Sequence, residues 1–288
     1  MKKLSFTLII MTLIVSSVIL IVNYQTNQGL LNNSDRNHMN TIDSKDKLKN
    51  TNKKTSKEVS NITSKEKREK HTHSKKTSKK IVITIDPGHQ KKANIGQEPI
   101  APESNITKYK ATVGSIGVVS KKPEYAITLN ASRLLQKKLQ QKGYKVVLTR
   151  NANNIDLSNR DRAKIANQHK SALFIRVHAD GAGNTNARGF SIIAPSKNNP
   201  YTKKVFIESQ KASKTIVKQV RKGFTLYQSG LSYRDDLSGF NWSKVPVILV
   251  ELGYITNPQE DKNLTNKQYL EKLSTSIAQG VDQYFDKK

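Results

Sequence analysis

Ile81-Val82-Ile83-Thr84-Ile85-Asp86-Pro87-Gly88-His89 is the stretch that decides the fold. Five consecutive β-branched residues, four of them aliphatic, read as a strand buried on both faces, the form that strands take in parallel sheets. Pro87-Gly88 stops the run, and a histidine follows at once. Downstream, a long polar loop leads to Pro123-Glu124, which opens a helix with apolar positions Ile127, Ala131, Leu134, Leu135 and Leu139. Gly143 stands where a helix C′ glycine belongs. Lys145–Thr149 is the next strand, and Ser158 with Asp161 forms a capping box for a helix to about Gln168. Ala172–His178 is a third strand and Gly189–Ile193 a short one. Lys203–Arg221 is a helix, Val245–Val250 a strand ending at Glu251, and Asn266 caps a last helix reaching Tyr284. Strands alternating with helices of this length predict an α/β fold: a mostly parallel, twisted sheet with helices on both faces.

Upstream of Lys80 the sequence changes character. Leu4–Val22 contains only Leu, Ile, Val, Phe, Met, Ser and Thr, long enough to span a bilayer and preceded by Lys2-Lys3. No small-x-small cleavage site follows, so residues 1–31 read as a membrane anchor or signal segment, and the chain as exported. Residues 32–80 carry fifteen basic and six acidic side chains and almost no large apolar ones. Such composition cannot bury enough surface to offset its ordering entropy, which predicts a disordered basic linker. The core therefore belongs to one domain, 81–288, which is itself +17 of the total +28. His71-Thr72-His73 has no third ligand nearby and reads as polar filler. Cysteine is absent, which excludes disulfides, thiolate metal ligands and a cysteine nucleophile.

Ligands of such sheets bind beyond the carboxyl ends of the strands. His89 follows the first strand, His178 closes the third, Glu251 closes the late one, and Glu124 starts the first helix. Each alone has a bland reading: a turn histidine, a core histidine, a helix N-terminal carboxylate. Together they place two histidines and two glutamates on one rim. Catalytic zinc takes three such ligands, His₂Glu among the known sets, which leaves one carboxylate over for general-base work.

The segments Ile83–His89, Phe174-Ile175-Arg176-Val177-His178-Ala179-Asp180 and Val250-Glu251-Leu252-Gly253-Tyr254-Ile255-Thr256-Asn257-Pro258, with the Glu124 helix start, occur in a telling order. They resemble the zinc-dependent N-acetylmuramoyl-L-alanine amidases of bacterial cell walls, the amidase-3 type, across essentially all of 81–288. The resemblance implies one Zn²⁺ held by His89, Glu124 and His178, with Glu251 as the catalytic carboxylate. It implies hydrolysis of the amide between N-acetylmuramic acid and L-alanine in peptidoglycan. Gly239–Ser243 looks like a family element lining the cleft. Gln90 and Asp180 depart from the common Gly and Asn, and neither position is a metal ligand in the family. Arg176, Asp180 and Asn241 are the candidates for orienting substrate, with strand-end or loop structure as the alternative.

The expected place is the outer face of the cytoplasmic membrane or the cell wall. Residues 4–22 would meet the membrane, and the basic linker anionic wall polymers or lipid headgroups. Nucleic acid is not expected as a partner, because export removes the chain from it, and the sequence names no activating protein. The rival functions are a zinc peptidase acting on stem peptides and an inactive wall-binding scaffold.

Overall fold

Alternation of period two in the central strands sets the two faces of one sheet. The structure, a computed structural model, describes residues 81–286. Strands β1 (Val82–Pro87), β4 (Lys145–Leu148), β5 (Leu173–Asp180), β6 (Phe190–Pro195), β7 (Leu226–Arg234) and β8 (Val247–Tyr254) form a six-stranded sheet in the order β4-β1-β5-β8-β6-β7. The first four in that order are parallel, β6 runs antiparallel to β8, and β7 is parallel to β6.

On one face Ile83 and Ile85 of β1, Leu173, Ile175 and Val177 of β5, and Ile248 and Val250 of β8 share a core with three helices. These are α1 (Glu124–Gln141), α3 (Phe206–Val220) and α6 (Lys267–Asp286). Helix α1 presents Ile127, Ala131, Leu135 and Leu139 at successive i, i+4 positions, so one stripe faces the sheet. Each fully buried leucine or isoleucine there contributes about 1.5–3 kcal/mol. On the opposite face Phe174, Val247 and Leu249 pack with Ala163 and Ala166 of α2 (Asn159–Gln168) and Phe240 of α4 (Ser238–Asn241). This is the expected α/β architecture with both faces covered.

The local signals held where caps and apolar runs carried them. Ser158 and Asp161 make the reciprocal capping box, Gly143 takes a positive φ of 90°, and Asn266 Oδ1 accepts from Tyr269 N–H. Several elements were not foreseen. The long polar loop contains an antiparallel hairpin, β2 (Asn94–Pro99) with β3 (Thr107–Ala111). Edge strand β7 and helix α5 (Pro258–Thr265) were also missed. The hairpin is mostly solvent-exposed and β7 has one neighbour, so neither needs an apolar run.

The anchor at 4–22 and the linker at 32–80 lie outside the described residues. Among those described, no helix is long and apolar enough to cross a membrane.

Candidate functional site

The alternation that buries Ile83 and Leu173 on one face sends Asp86, Arg176, His178 and Asp180 to the other. His178 and Glu251 are register partners on adjacent strands β5 and β8, so two strand ends put an imidazole and a carboxylate side by side. His89, two residues past β1, has a φ of 61°, a left-handed conformation uncommon for a non-glycine residue. Four arginine-donated hydrogen bonds hold the turn that carries it. Arg162 donates to the Pro87 carbonyl at 2.8 Å and the His89 carbonyl at 3.1 Å, and Arg150 donates to the Pro87 and Gly88 carbonyls, both at 2.9 Å. Asp86, fully buried, anchors Arg162 at 2.7 Å and Arg176 at 3.0 Å. Burial alone would raise the Asp86 pKa, but the two guanidiniums outweigh it and hold this carboxyl well below the usual range.

Glu124 reaches the site from the first turn of α1. Its backbone N–H bonds to the Ser115 carbonyl, and an isolated bridge pairs Ile116 with Pro123, so the loop before the helix is pinned. The carboxylate accepts from Ser115 N–H through Oε2 and from Ala179 N–H through Oε1. The same Oε1 lies 3.2 Å from His89 Nε2 and 3.2 Å from His178 Nδ1. Burial opposes its charge, yet the bonds from His178 and His89 prevail and keep Glu124 ionised far below the ordinary carboxylate range. Burial lowers His178 to about 4, so its ring is neutral at physiological pH, the state that binds metal.

One potential ligand atom each from His89, Glu124 and His178 falls within 4.8 Å of the others. His89 Nδ1 contacts the Thr112 carbonyl at 3.2 Å and its hydroxyl at 2.9 Å, which fixes the ring and leaves Nε2 directed at the cluster. His178 Nε2 and Glu251 Oε2 are both buried without a hydrogen-bond partner, a state proteins avoid unless another group supplies one. His89 Nε2 and His178 Nδ1 converge on Glu124 Oε1, and this donor set of two histidines and a glutamate fits a divalent cation of the zinc type. Two glycines keep the space clear. A Cβ on Gly88 would sit 2.5 Å from the His178 ring, and one on Gly114, whose φ is 79°, would sit 2.5 Å from Glu124 Oε2.

A cavity of about 440 Å³ opens over the cluster, and Glu251, Asp180 and Arg234 line it with the three residues. Burial, then the neighbouring Asp180 and Glu124 carboxylates, push the Glu251 pKa well up, while Arg176 and Arg234 oppose the rise. Asp180 is raised by burial as well. Of the expected substrate-orienting residues, only Asp180 lines this cavity. Arg176 is buried and bonded to Asp86 and to Asn159 Oδ1 at 2.7 Å, beside an adjoining cavity of about 440 Å³. Asn241 is buried too, donating to the Asp235 carbonyl and accepting from Asn199. Sequence reasoning missed Arg150, Arg162 and Arg234. An ionised aspartate closing an apolar strand, Asp86, was the available sign that buried cations had to follow.

Comparison with known proteins identifies the family. The profile of the Amidase_3 family, N-acetylmuramoyl-L-alanine amidase, matches residues 83–283. A relative from Buchnera aphidicola, described as a putative N-acetylmuramoyl-L-alanine amidase, is 30% identical over 234 residues, covering 72% of this chain and 98% of its own. An N-acetylmuramoyl-L-alanine amidase of Mycobacterium tuberculosis is 29% identical over 212 residues, covering 70% and 85%. The crystal structure of the apo N-acetylmuramyl-L-alanine amidase Ami1 from Mycobacterium abscessus superposes with a TM-score of 0.66 at 28% identity, over 72% of this chain and 99% of that one. With the family profile spanning more than half of its length, the chain belongs to the N-acetylmuramoyl-L-alanine amidases of the Amidase_3 family and is a hydrolase.

Proposed function

We propose that His89, Glu124 and His178 hold one Zn²⁺ and that Glu251 is the general base in hydrolysis of the amide joining the muramic acid lactyl group to L-alanine. The observation that carries this reading is the convergence of His89 Nε2 and His178 Nδ1 on Glu124 Oε1, with the buried, unpartnered Glu251 Oε2 on the strand register-paired to His178. Zinc there would polarise the scissile carbonyl and acidify the attacking water. Glu251 takes the proton of that water at its carboxylate and returns it to the departing amine. Asp180 and Arg234, at the cavity wall, are placed to orient the polar groups around the scissile amide. The arginine-braced turn after β1 keeps His89 in place through both steps.

The test combines metal analysis with mass spectrometry of products released from peptidoglycan. Zinc near one per chain and free stem peptides beginning with L-alanine are expected. Glu251→Gln should keep metal and fold yet lower turnover about 10²–10⁴-fold, the range for a removed general base. His178→Ala should lose the metal. Stem peptides cut at an internal bond would instead assign a zinc peptidase. Near wild-type turnover of Glu251→Gln, or metal loss equal to that of His178→Ala, would overturn the division of roles.

The same reading places the enzyme outside the cytoplasm, with 4–22 as membrane anchor and 32–80 as a basic tether to anionic wall polymers or headgroups. Its support is the uncharged nineteen-residue apolar run followed by a linker nearly devoid of large apolar residues.

A further inference from the structure

A second cavity, about 870 Å³, lies on the α2 and α4 side of the sheet and shares no lining residue with the cavity over His178. Four lysines line it: Lys164 on α2, Lys203 and Lys204 in the turn before α3, and Lys244 between α4 and β8. No carboxylate is among its lining residues. Lys164 has an exposed partner in Asp161 at 3.7 Å, but Lys203, Lys204 and Lys244 form no ion pair among the described residues. Tyr201 and Trp242 are the aromatic residues of its lining, beside Pro102, Pro200 and Val205. Tyr201 is 41% exposed.

The walls are fixed by bonds rather than brought together by chance. Trp242 Nε1 donates to the Pro99 carbonyl at 2.8 Å, and Arg160 stacks over its ring at 5.4 Å. Asn167 of α2 donates to the Trp242 carbonyl at 2.9 Å and accepts from Lys244 N–H at 2.7 Å. Helix α2 and the α4–β8 connection therefore keep Trp242 and Lys244 at one end of the cavity. A concave, aromatic-walled, purely cationic groove suits a chain that carries an anion on every unit and polar, hydroxylated carbons between. Charge complementarity selects the anion, and rings stack on the carbon-bearing face of a polyol or sugar. A flat bilayer does not enter such a concavity.

We propose that this groove is a binding site for a linear phosphodiester polymer with hydroxylated repeating units, separate from the hydrolytic site. It would hold the enzyme on phosphate-rich material while the rim around Glu251 remains free to act. The proposal does not depend on the metal or on Glu251, because it is read by binding without turnover.

The test uses the full chain in nanodiscs of neutral phosphatidylcholine, so the residues before 81 contribute equally throughout. Binding of a synthetic poly(glycerol phosphate) at about 0.1 M salt is compared between wild type, a groove triple (Lys203→Gln, Lys204→Gln, Lys244→Gln) and a control triple (Lys214→Gln, Lys218→Gln, Lys272→Gln) that removes equal charge from exposed helix lysines. The groove triple should lose tenfold or more in affinity, and the control less than about twofold, because only clustered cations release counterions together. Phosphatidylglycerol vesicles and a single-stranded oligonucleotide form the other arms, with the two triples expected to weaken vesicle binding alike. Absence of polymer binding by wild type, or equal losses in both triples, would sink the proposal. A groove-specific loss confined to vesicles or to the oligonucleotide would also overturn it. A several-fold rise in KM on a soluble, phosphate-free glycan peptide would place the groove in the substrate cleft instead.

Discussion

The turn after β1 shows how single residues set the chemistry. Gly88 leaves room for the His178 ring, and a Cβ there would meet three of its ring atoms within 2.7 Å. Gly88→Ala should keep the fold but displace His178, with metal affinity falling about 10–100-fold, as for lost outer-shell support. Competitive metal titration checks this, and unchanged affinity would show that the ring has space to retreat. Asp86 is the charge on which the turn depends. Removing one partner of a buried ion pair costs about 3–5 kcal/mol, so Asp86→Asn should lower the denaturant midpoint accordingly. The sign of the acid response follows from the depressed pKa. A carboxyl lower in the folded than in the unfolded chain stabilises fully above its ordinary value near 3.8 and loses that contribution as pH falls below it. Stability of the wild type should therefore drop below about pH 4 more steeply than that of Asp86→Asn, as followed by circular dichroism.

Elements reveal where local sequence suffices. Helix α2 begins at Ser158, whose hydroxyl accepts from Asp161 N–H at 3.1 Å while the Asp161 carboxylate reaches back to Ser158 N–H at 3.4 Å. Ser158→Ala should cost about 1 kcal/mol in urea unfolding, with 0.5–2 the usual range for such caps. Because α2 carries Arg162, whose guanidinium grips the His89 turn, the variant should lose some turnover as well as stability. A loss of stability with full turnover would mean that the Arg162 contacts survive fraying of the cap. Strand β7 is the opposite case. Gln228 and Gly230 have φ of 51° and 78°, and the strand pairs only with β6, so it carries neither an alternating nor a continuous apolar pattern. Its last residue, Arg234, nonetheless lines the cavity with Glu251.

At the scale of the whole molecule, the role proposed for the linker is electrostatic. Residues 32–80 add fifteen basic side chains to a domain already at +17. A soluble chain of residues 32–288 should bind cell walls more tightly than 81–288 at low salt. The gap should close toward 0.5–1 M, where the Debye length falls to about 3 Å. Equal salt dependence in a pull-down assay would reduce the linker to a spacer. Strong apolar periodicity and caps made most strands and helices of residues 81–288 legible in the sequence, and position at a strand end or helix start drew His89, Glu124, His178 and Glu251 together as candidates. Those features are local, or recur at strand ends that a parallel sheet must bring to one rim. Only the tertiary structure decided that β6 turns antiparallel, that Arg176 and Asn241 are bonded inside the protein while Arg234 faces the cavity, and that Arg150 and Arg162 brace His89. The physical reason is distance along the chain: Asp86 and Arg162 meet across 76 residues, and no local propensity records which buried charge will find which partner.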